Sequence, residues 1–320
     1  MTDLPFAPGS VSLRLYPHLN LPAPGIVTEL RAQARLAAES NFDGVMTSEH
    51  HGGFAGYLPN PLQLAGWLLE AMATGWAAPC PLLLPLRPPA LVAEEVAWLA
   101  ARFPGRVGLG VAAGALPDDF EIMNIPMTDL TARFADGLEA VVTLLSGGEA
   151  GKLTGDAAIQ QCVDHPIPVL SAAMGFTAAR RAARTGAGLL FDSLSSPARI
   201  RHLVDAYRKA GGIGSCIIIR RVWLGPPPRE LVERQLDVYR TYATETGQSH
   251  WEGDQLIGAD DASAVADALA AVMDEAGVNG LNLRVHVPGV SPEAAREQIA
   301  RLEEVVDGLH GRAASSMRVE

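Results

Sequence analysis

Pro168-Val169-Leu170-Ser171-Ala172-Ala173-Met174-Gly175-Phe176-Thr177-Ala178-Ala179-Arg180-Arg181-Ala182-Ala183-Arg184-Thr185-Gly186-Ala187-Gly188-Leu189-Leu190-Phe191 contains two short apolar runs separated by a turn and a segment of helical spacing. The runs Pro168 to Ser171 and Gly188 to Phe191 read as strands, and Thr177 to Thr185 as the helix between them. Parallel strands cannot be joined by a tight turn, so the intervening helix makes this a βαβ unit.

Outward from this unit the alternation repeats. The other candidate strands are Val11 to Leu15, Gly44 to Thr47, Pro81 to Leu84, Arg106 to Gly110, Ser215 to Val222 and Gly280 to Val285. The candidate helices are Ile26 to Ser40, Pro61 to Thr74, Pro89 to Phe103, Asp129 to Ser146, Pro197 to Ala210, Arg229 to Thr246 with Ala262 to Gly277, and Ser291 to Leu309. Eight βα units in 320 residues favour an α/β fold of the (β/α)8 TIM barrel type over an open doubly wound sheet. No Pro/Ser-rich linker divides the chain, and Gly147 to Gly155 is long enough only for an insertion. The expected domain is therefore 1–310, with 311–320 a frayed tail. Trp67, Leu68, Leu69, Trp98 and Leu99 read as packing between barrel and helices.

The chain carries 25 Lys+Arg against 36 Asp+Glu, a formal charge of −11. Nucleic-acid binding and a polybasic membrane patch are disfavoured, because both need a concentrated basic face and the clusters Arg180-Arg181-Arg184 and Arg220-Arg221 are short. Hydrophobic residues at 48% and charged residues at 19% exclude global disorder. No apolar stretch approaches the roughly 20 residues of a membrane span, and Met1 to Pro8 lacks the pattern of a signal peptide. A soluble, cytoplasmic protein is the expectation. Cys80, Cys162 and Cys216 are far apart and outside any CxxC pair, which argues against disulfides and structural zinc.

In a barrel the chemistry gathers after the strands, at their C-terminal ends. Ser48-Glu49-His50-His51 follows the second strand directly. A histidine there can exchange protons near neutral pH, whereas the bland reading is a hydrogen-bonded loop pair. Successive residues leaving a strand face opposite ways, so His50 and His51 do not both enter one pocket. Metal catalysis is disfavoured, since Asp192 is the only obvious further carboxylate. Pro81 enters a central strand without an N-H to donate, which predicts a cis Cys80-Pro81 bond or a strand that simply opens at Pro81.

After the fourth strand, Gly108-Leu109-Gly110-Val111-Ala112-Ala113-Gly114 departs from the dinucleotide fingerprint, and its small residues, Ala112 among them, let a flat ligand approach. After the fifth, Ser171, Met174, Gly175 and Thr177 form either an anion cradle at a helix start or an ordinary cap by Thr177. Arg133 is a candidate charge partner for the same anion or half of a surface ion pair.

In this order the chain resembles the bacterial luciferase-like monooxygenase family. The resemblance rests on Thr47-Ser48-Glu49-His50-His51 with Asn60-Pro61, Leu83-Leu84-Pro85-Leu86-Arg87-Pro88-Pro89 with Ala93-Glu94-Glu95-Val96-Ala97, and Pro104-Gly105-Arg106-Val107-Gly108-Leu109-Gly110-Val111. Asp119-Phe120, Arg133-Phe134 and the strand Pro166-Ile167-Pro168-Val169 with its turn complete it. It implies a TIM barrel binding reduced FMN, or the deazaflavin F420, across its mouth.

By the same resemblance Cys80-Pro81 supports the ring system, Glu49 is a pocket carboxylate, and Arg133, Ser171, Met174, Gly175 and Thr177 hold the phosphate. His50 is then the catalytic residue. His51, Phe54, Tyr57 and Trp223 border a small organic substrate such as an aldehyde. A separate flavin reductase and O2 are the implied partners, and a homodimer through the second and third units is the implied assembly. One departure stands out, because Ala113 occupies the place of an arginine that grips the FMN phosphate in luciferases. It keeps F420-dependent hydride transfer, and a flavin-binding barrel without turnover, as alternatives.

Overall fold

The computed structural model describes residues 4–54, 56–242, 251 and 255–316. The strands are β1 (Val11–Arg14), β2 (Gly44–Thr47), β3 (Trp76–Pro79), β4 (Leu82–Leu83), β5 (Leu109–Ala112), β6 (Val169–Ala172), β7 (Gly188–Phe191), β8 (Cys216–Leu224), β9 (Ile257–Ala259) and β10 (Gly280–Arg284). All pair in parallel in the order β3-β2-β1-β10-β8-β7-β6-β5-β4, with β9 off the path beside β8.

β3 and β4 are two halves of one barrel strand. β3 pairs with β2, whereas β4 pairs with β5. At the other end of the strand an Ala77–Val107 bridge, with Ala77 N donating to Arg106 O at 3.0 Å, links β3 to the β5 side and completes the ring. Eight barrel positions result, as the sequence predicts. Between the halves lies Cys80-Pro81, and this bond is cis.

The surrounding helices are α1 (Ala23–Glu39), α2 (Pro61–Ala71), α3 (Pro89–Arg102), α4 (Pro117–Ile122), α5 (Leu130–Leu145), α6 (Ala157–Gln161), α7 (Phe176–Thr185), α8 (Pro197–Lys209), α9 (Arg229–Tyr242), α10 (Ala262–Ala276), α11 (Pro292–Arg301) and α12 (Glu303–Ser316). Three of them start with the same device. Asn60, Ser196 and Ser291 accept a hydrogen bond from the backbone N-H three residues on, and Pro61, Pro197 and Pro292 take the first helical position, where no N-H is missed.

Inside the ring, Met46, Trp76, Ala78, Cys80, Leu170, Leu190 and Ile217 form one cluster with Phe6, whose ring meets Trp76 edge-on at 5.1 Å. Large side chains fit because their neighbours have none. A Cβ on Gly44 would lie 2.1 Å from the Trp76 ring, and one on Gly110 would lie 2.1 Å from Cys80 Sγ. The larger core lies between strands and helices.

Several boundaries differ from the sequence reading. The third strand begins at Trp76, because Trp76-Ala77-Ala78-Pro79 lacks the β-branched run that marks a strand. The fourth begins at Leu109, after Gly108. The last helical segment is two helices that break at Leu302, and the second continues to Ser316, beyond the Gly311 at which fraying is expected. Leu68 and Leu69 are buried as expected, but Trp67 and Trp98 are 38% and 56% exposed, so they face outward from α2 and α3.

Candidate functional site

β2 ends in Thr47 and delivers Ser48, Glu49, His50 and His51 to the barrel mouth. Glu49 is 1% exposed and fully engaged. Its Oε2 accepts from Leu83 N at 2.6 Å and from Arg87 Nη1 at 2.9 Å, and its Oε1 lies 2.9 Å from His51 Nε2. Charge-assisted bonds of this kind are among the strongest a folded chain makes. They tie the loop after β2 to β4, just beyond the cis bond, and so fix the edge of the mouth on that side.

His50 and His51 diverge as the alternation rule requires. His51 turns back onto Glu49 and is 8% exposed. His50 packs against Phe54, with ring centroids 4.9 Å apart, and edge-on against Tyr57 at 4.4 Å. Its Nδ1 lies 2.7 Å from Asp119 Oδ2, while Asp119 Oδ1 accepts from His51 N at 2.7 Å. Against a carboxylate acceptor Nδ1 carries the hydrogen, which leaves Nε2 to exchange a proton with a ligand. The His50 side chain keeps 19% exposure, so it is reachable.

Cys80 is buried beneath this loop. Burial pushes its thiol up to about 12, with the guanidinium of Arg14 opposing, so it stays protonated and is no nucleophile at neutral pH. Ala112, at the end of β5, leaves the neighbouring wall with little bulk, while the space beside Gly110 is filled by Cys80.

The turn after β6 resolves the choice between cradle and cap. Gly175, not Thr177, is the N-cap of α7 and offers no side-chain bond; Thr177 sits within the first turn. The first N-H groups of α7 are therefore uncapped, which is a ready anion site. Arg199 from α8 donates to Met174 O at 2.9 Å, and its Nε is buried without a partner. Arg133 instead donates to Pro126 O, which ties it to the segment before α5, and its Nε is likewise buried without a partner. Ser171 shares its strand face with Val169 and Ala173, which belong to the core between strands and helices, and its hydroxyl is buried without a hydrogen-bond partner.

Sequence reasoning overlooked the β1 and β10 side of the mouth. Arg14 is 2% exposed and donates to Asn282 Oδ1 at 2.6 Å and Ser48 Oγ at 3.0 Å. Arg284 is 3% exposed and donates to Tyr239 OH at 3.1 Å. Tyr239 OH is in turn 3.4 Å from Tyr57 OH. Burial alone would raise the Tyr16 phenol, but Arg284, Arg14 and Arg221 outweigh it and hold the group below its ordinary value. Tyr57 is held well above, by burial and then by its tyrosine neighbours. Trp223 packs in a satellite cluster with Tyr239 and Leu236. The signal was present: Arg14-Leu15-Tyr16 and Arg284-Val285-His286 leave adjacent strands with polar residues on alternate positions.

Asp192, the remaining metal candidate, spends its carboxylate on Leu194 N, Ser195 N and Ser195 Oγ. No cluster suited to a metal ion occurs among the described residues. A cavity of about 630 Å³ lies at the opposite end of the barrel, with Phe6, Val107, Pro104 and Ile167 among its lining residues. Its polar lining, Gln161, Asp164, His165 and Ser215, lies at the end of the barrel that serves stability rather than chemistry. No helix among the described residues is long and apolar enough to cross a membrane.

Comparison with known proteins agrees with this architecture. The oxygenating constituent of 3,6-diketocamphane monooxygenase from Pseudomonas putida, solved with FMN, superposes with a TM-score of 0.75 over 95% of this chain and 98% of its own, at 16% identity. An F420-dependent secondary alcohol dehydrogenase, solved with an F420–acetone adduct, gives 0.71 over 93% and 98%, also at 16% identity. In sequence, an F420-dependent glucose-6-phosphate dehydrogenase of Beutenbergia cavernae is 33% identical over 184 residues, 52% of each chain. The chain spans about half or less of the length of the curated relatives it matches. The family model for luciferase-like monooxygenases matches residues 15–308, nearly the whole barrel. The chain belongs to the luciferase-like monooxygenase family.

Proposed function

We propose that this protein is a flavin-dependent monooxygenase that takes reduced FMN from a separate reductase and uses O2 to oxygenate a small organic substrate. The observation that carries this reading is the constellation at one rim of the mouth: the Glu49 clamp on Leu83 and Arg87, and His50 backed by Asp119. Reduced flavin, when bound, supplies the electrons and activates oxygen. The chain supplies the rest. The backbone at Cys80-Pro81 and the small Ala112 support a planar ring, and Glu49 keeps that edge from moving.

The uncapped start of α7, with Gly175, Thr177 and Arg199, fits a phosphate. Met174 contributes only its carbonyl, to Arg199, and Arg133 stands as a more distant charge. His50 Nε2 gives or takes the proton of the substrate, and Phe54, Tyr57 and Trp223 exclude water around it. Trp67 and Trp98, outward on α2 and α3, fit a homodimer through the second and third units. A cytoplasmic setting, where reduced cofactor is made, suits this chemistry.

A second reading is F420-dependent hydride transfer. Ala113 in place of a phosphate-gripping arginine favours it, as does the 33% identity to a deazaflavin enzyme. The two are separated by anaerobic titration with reduced FMN and with F420, followed by admission of oxygen. Tight reduced-FMN binding with substrate-dependent O2 uptake supports the monooxygenase. Binding of F420 alone, without oxygen uptake, selects hydride transfer. Flavin binding with no turnover, unchanged in His50→Ala, selects the non-catalytic barrel.

A further inference from the structure

Arg284 ends β10 and is buried at 3% exposure. Its Nε donates to His286 O at 2.8 Å and its Nη1 to Tyr239 OH at 3.1 Å. Its Cζ stands 4.2 Å over the face of the Tyr16 ring. Nη2 is buried with no partner. The groups that contact this guanidinium are a hydroxyl, a carbonyl and a ring face, and Arg284 enters no ion pair among the described residues. Arg14, a buried cation on the next strand, enters none either. A buried guanidinium without a counter-charge is costly, and evolution retains such a charge where a ligand supplies the anion. Tyr16 does not supply it, because it presents its ring rather than its oxygen to Arg284.

The surroundings narrow the ligand. Tyr57 OH lies 3.4 Å from Tyr239 OH, and the Tyr57 ring packs against both Tyr16, at 5.3 Å, and His50, at 4.4 Å. An anion held by Arg284 and Tyr239 therefore sits one ring away from the residue that exchanges the proton. Tyr57 packs edge-on against Tyr16, whose ring the guanidinium faces, and follows a turn in which Gly52, Gly53 and Gly56 adopt positive φ. Aromatic walls select a flat molecule, and a guanidinium edge with two free N-H bonds on Nη2 suits a planar carboxylate.

We propose that Arg284, Tyr239 and Tyr16 form a subsite for the carboxylate of an aromatic acid substrate, with Tyr57 as its cover. The inference rests on the mouth being the substrate site of the oxidoreductase proposed above, and it replaces the neutral aldehyde expected from the family with an acid. The test is calorimetric titration of the full chain with benzoate and with its neutral isostere benzamide, alongside a separate titration with reduced FMN and F420.

Benzoate is expected to bind at least about tenfold more tightly than benzamide. In Arg284→Met the preference falls to about one while cofactor affinity stays within about twofold, and Tyr239→Phe loses an intermediate part of it. Equal affinities in the unmodified protein overturn the proposal without the need for any variant. So does a preference that survives Arg284→Met, or an Arg284→Met variant that loses the cofactor instead of benzoate, since the anion is then the cofactor's own. Discrimination of benzoate by a protein that binds neither cofactor upholds the subsite and removes the oxidoreductase reading.

Discussion

The Asp119 carboxylate accepts from His50 Nδ1 at 2.7 Å and, through its other oxygen, from the backbone N-H of His51 at 2.7 Å. One buried side chain on α4 thus fixes the ring of the proton-exchanging residue and the path of the loop that carries it. Asp119 is a positioning residue for His50.

Asp119→Asn is expected to lower kcat about 10- to 100-fold while KM and cofactor affinity change little, because an amide no longer enforces one tautomer of His50. Asp119→Glu should recover part of the loss. His50→Asn should cost more, about a hundred- to ten-thousandfold in kcat. Steady-state oxidation of the reduced cofactor, with kcat and KM resolved, checks the split. A folded fraction, measured by circular dichroism, that falls as far as kcat would assign Asp119 to folding alone.

Glu49→Gln removes the anion shared by Leu83 N, Arg87 and His51. Breaking a buried, hydrogen-bonded ion pair from one side should cost about 3 kcal/mol of stability. Urea unfolding of the variant measures it. Cofactor affinity should fall with it, since the clamp holds the Cys80-Pro81 edge of the mouth.

Gly110→Ala places a methyl 2.1 Å from Cys80 Sγ. Strain of this kind should destabilise the barrel by about 1–3 kcal/mol. Cys80→Ala in the same chain should recover only part of this, because Cys80 Cβ and Cα, at 2.8 and 2.9 Å, remain in the way. A double-mutant cycle on thermal unfolding gives the coupling.

Burial, then His18 and Arg284, hold the His286 imidazole well below 6.5. The folded chain keeps it neutral where the unfolded chain takes up a proton. Its contribution to stability is therefore complete above about pH 6.5 and is lost as pH falls toward the depressed folded value, at up to about 1.4 kcal/mol per pH unit. His18, lowered by its own burial, adds to the same slope. Denaturant midpoints between pH 7.5 and 5 should fall steadily, and His286→Gln should flatten the curve.

The barrel was legible because its βα alternation is carried by hydrophobic period, which is local. The strand Trp76–Pro79 was missed because its small residues serve close packing inside the ring, a tertiary demand with no periodic trace. His50, Glu49 and the cis Cys80-Pro81 were legible from their place after a strand and from the family pattern. Arg284, Tyr239 and Asp119 were not, because each acquires its role from residues far away in sequence. Arg284 and Tyr239 are 45 positions apart, and His50 and Asp119 are 69. For Ser171 the turn was legible but the facing of its side chain was not, because which way an alternating strand points is settled only by the register of its neighbours.

Gly44 and Trp76 lie directly opposite each other in the β2/β3 register, and the indole occupies the space a side chain on Gly44 would need. Two positions on different βα units therefore share one volume, so neither is free to drift alone. In any lineage of this barrel, a side chain at position 44 should be inherited together with a smaller residue at 76. The pair is a heritable unit by which distant homologues can be sorted before any of them is assayed.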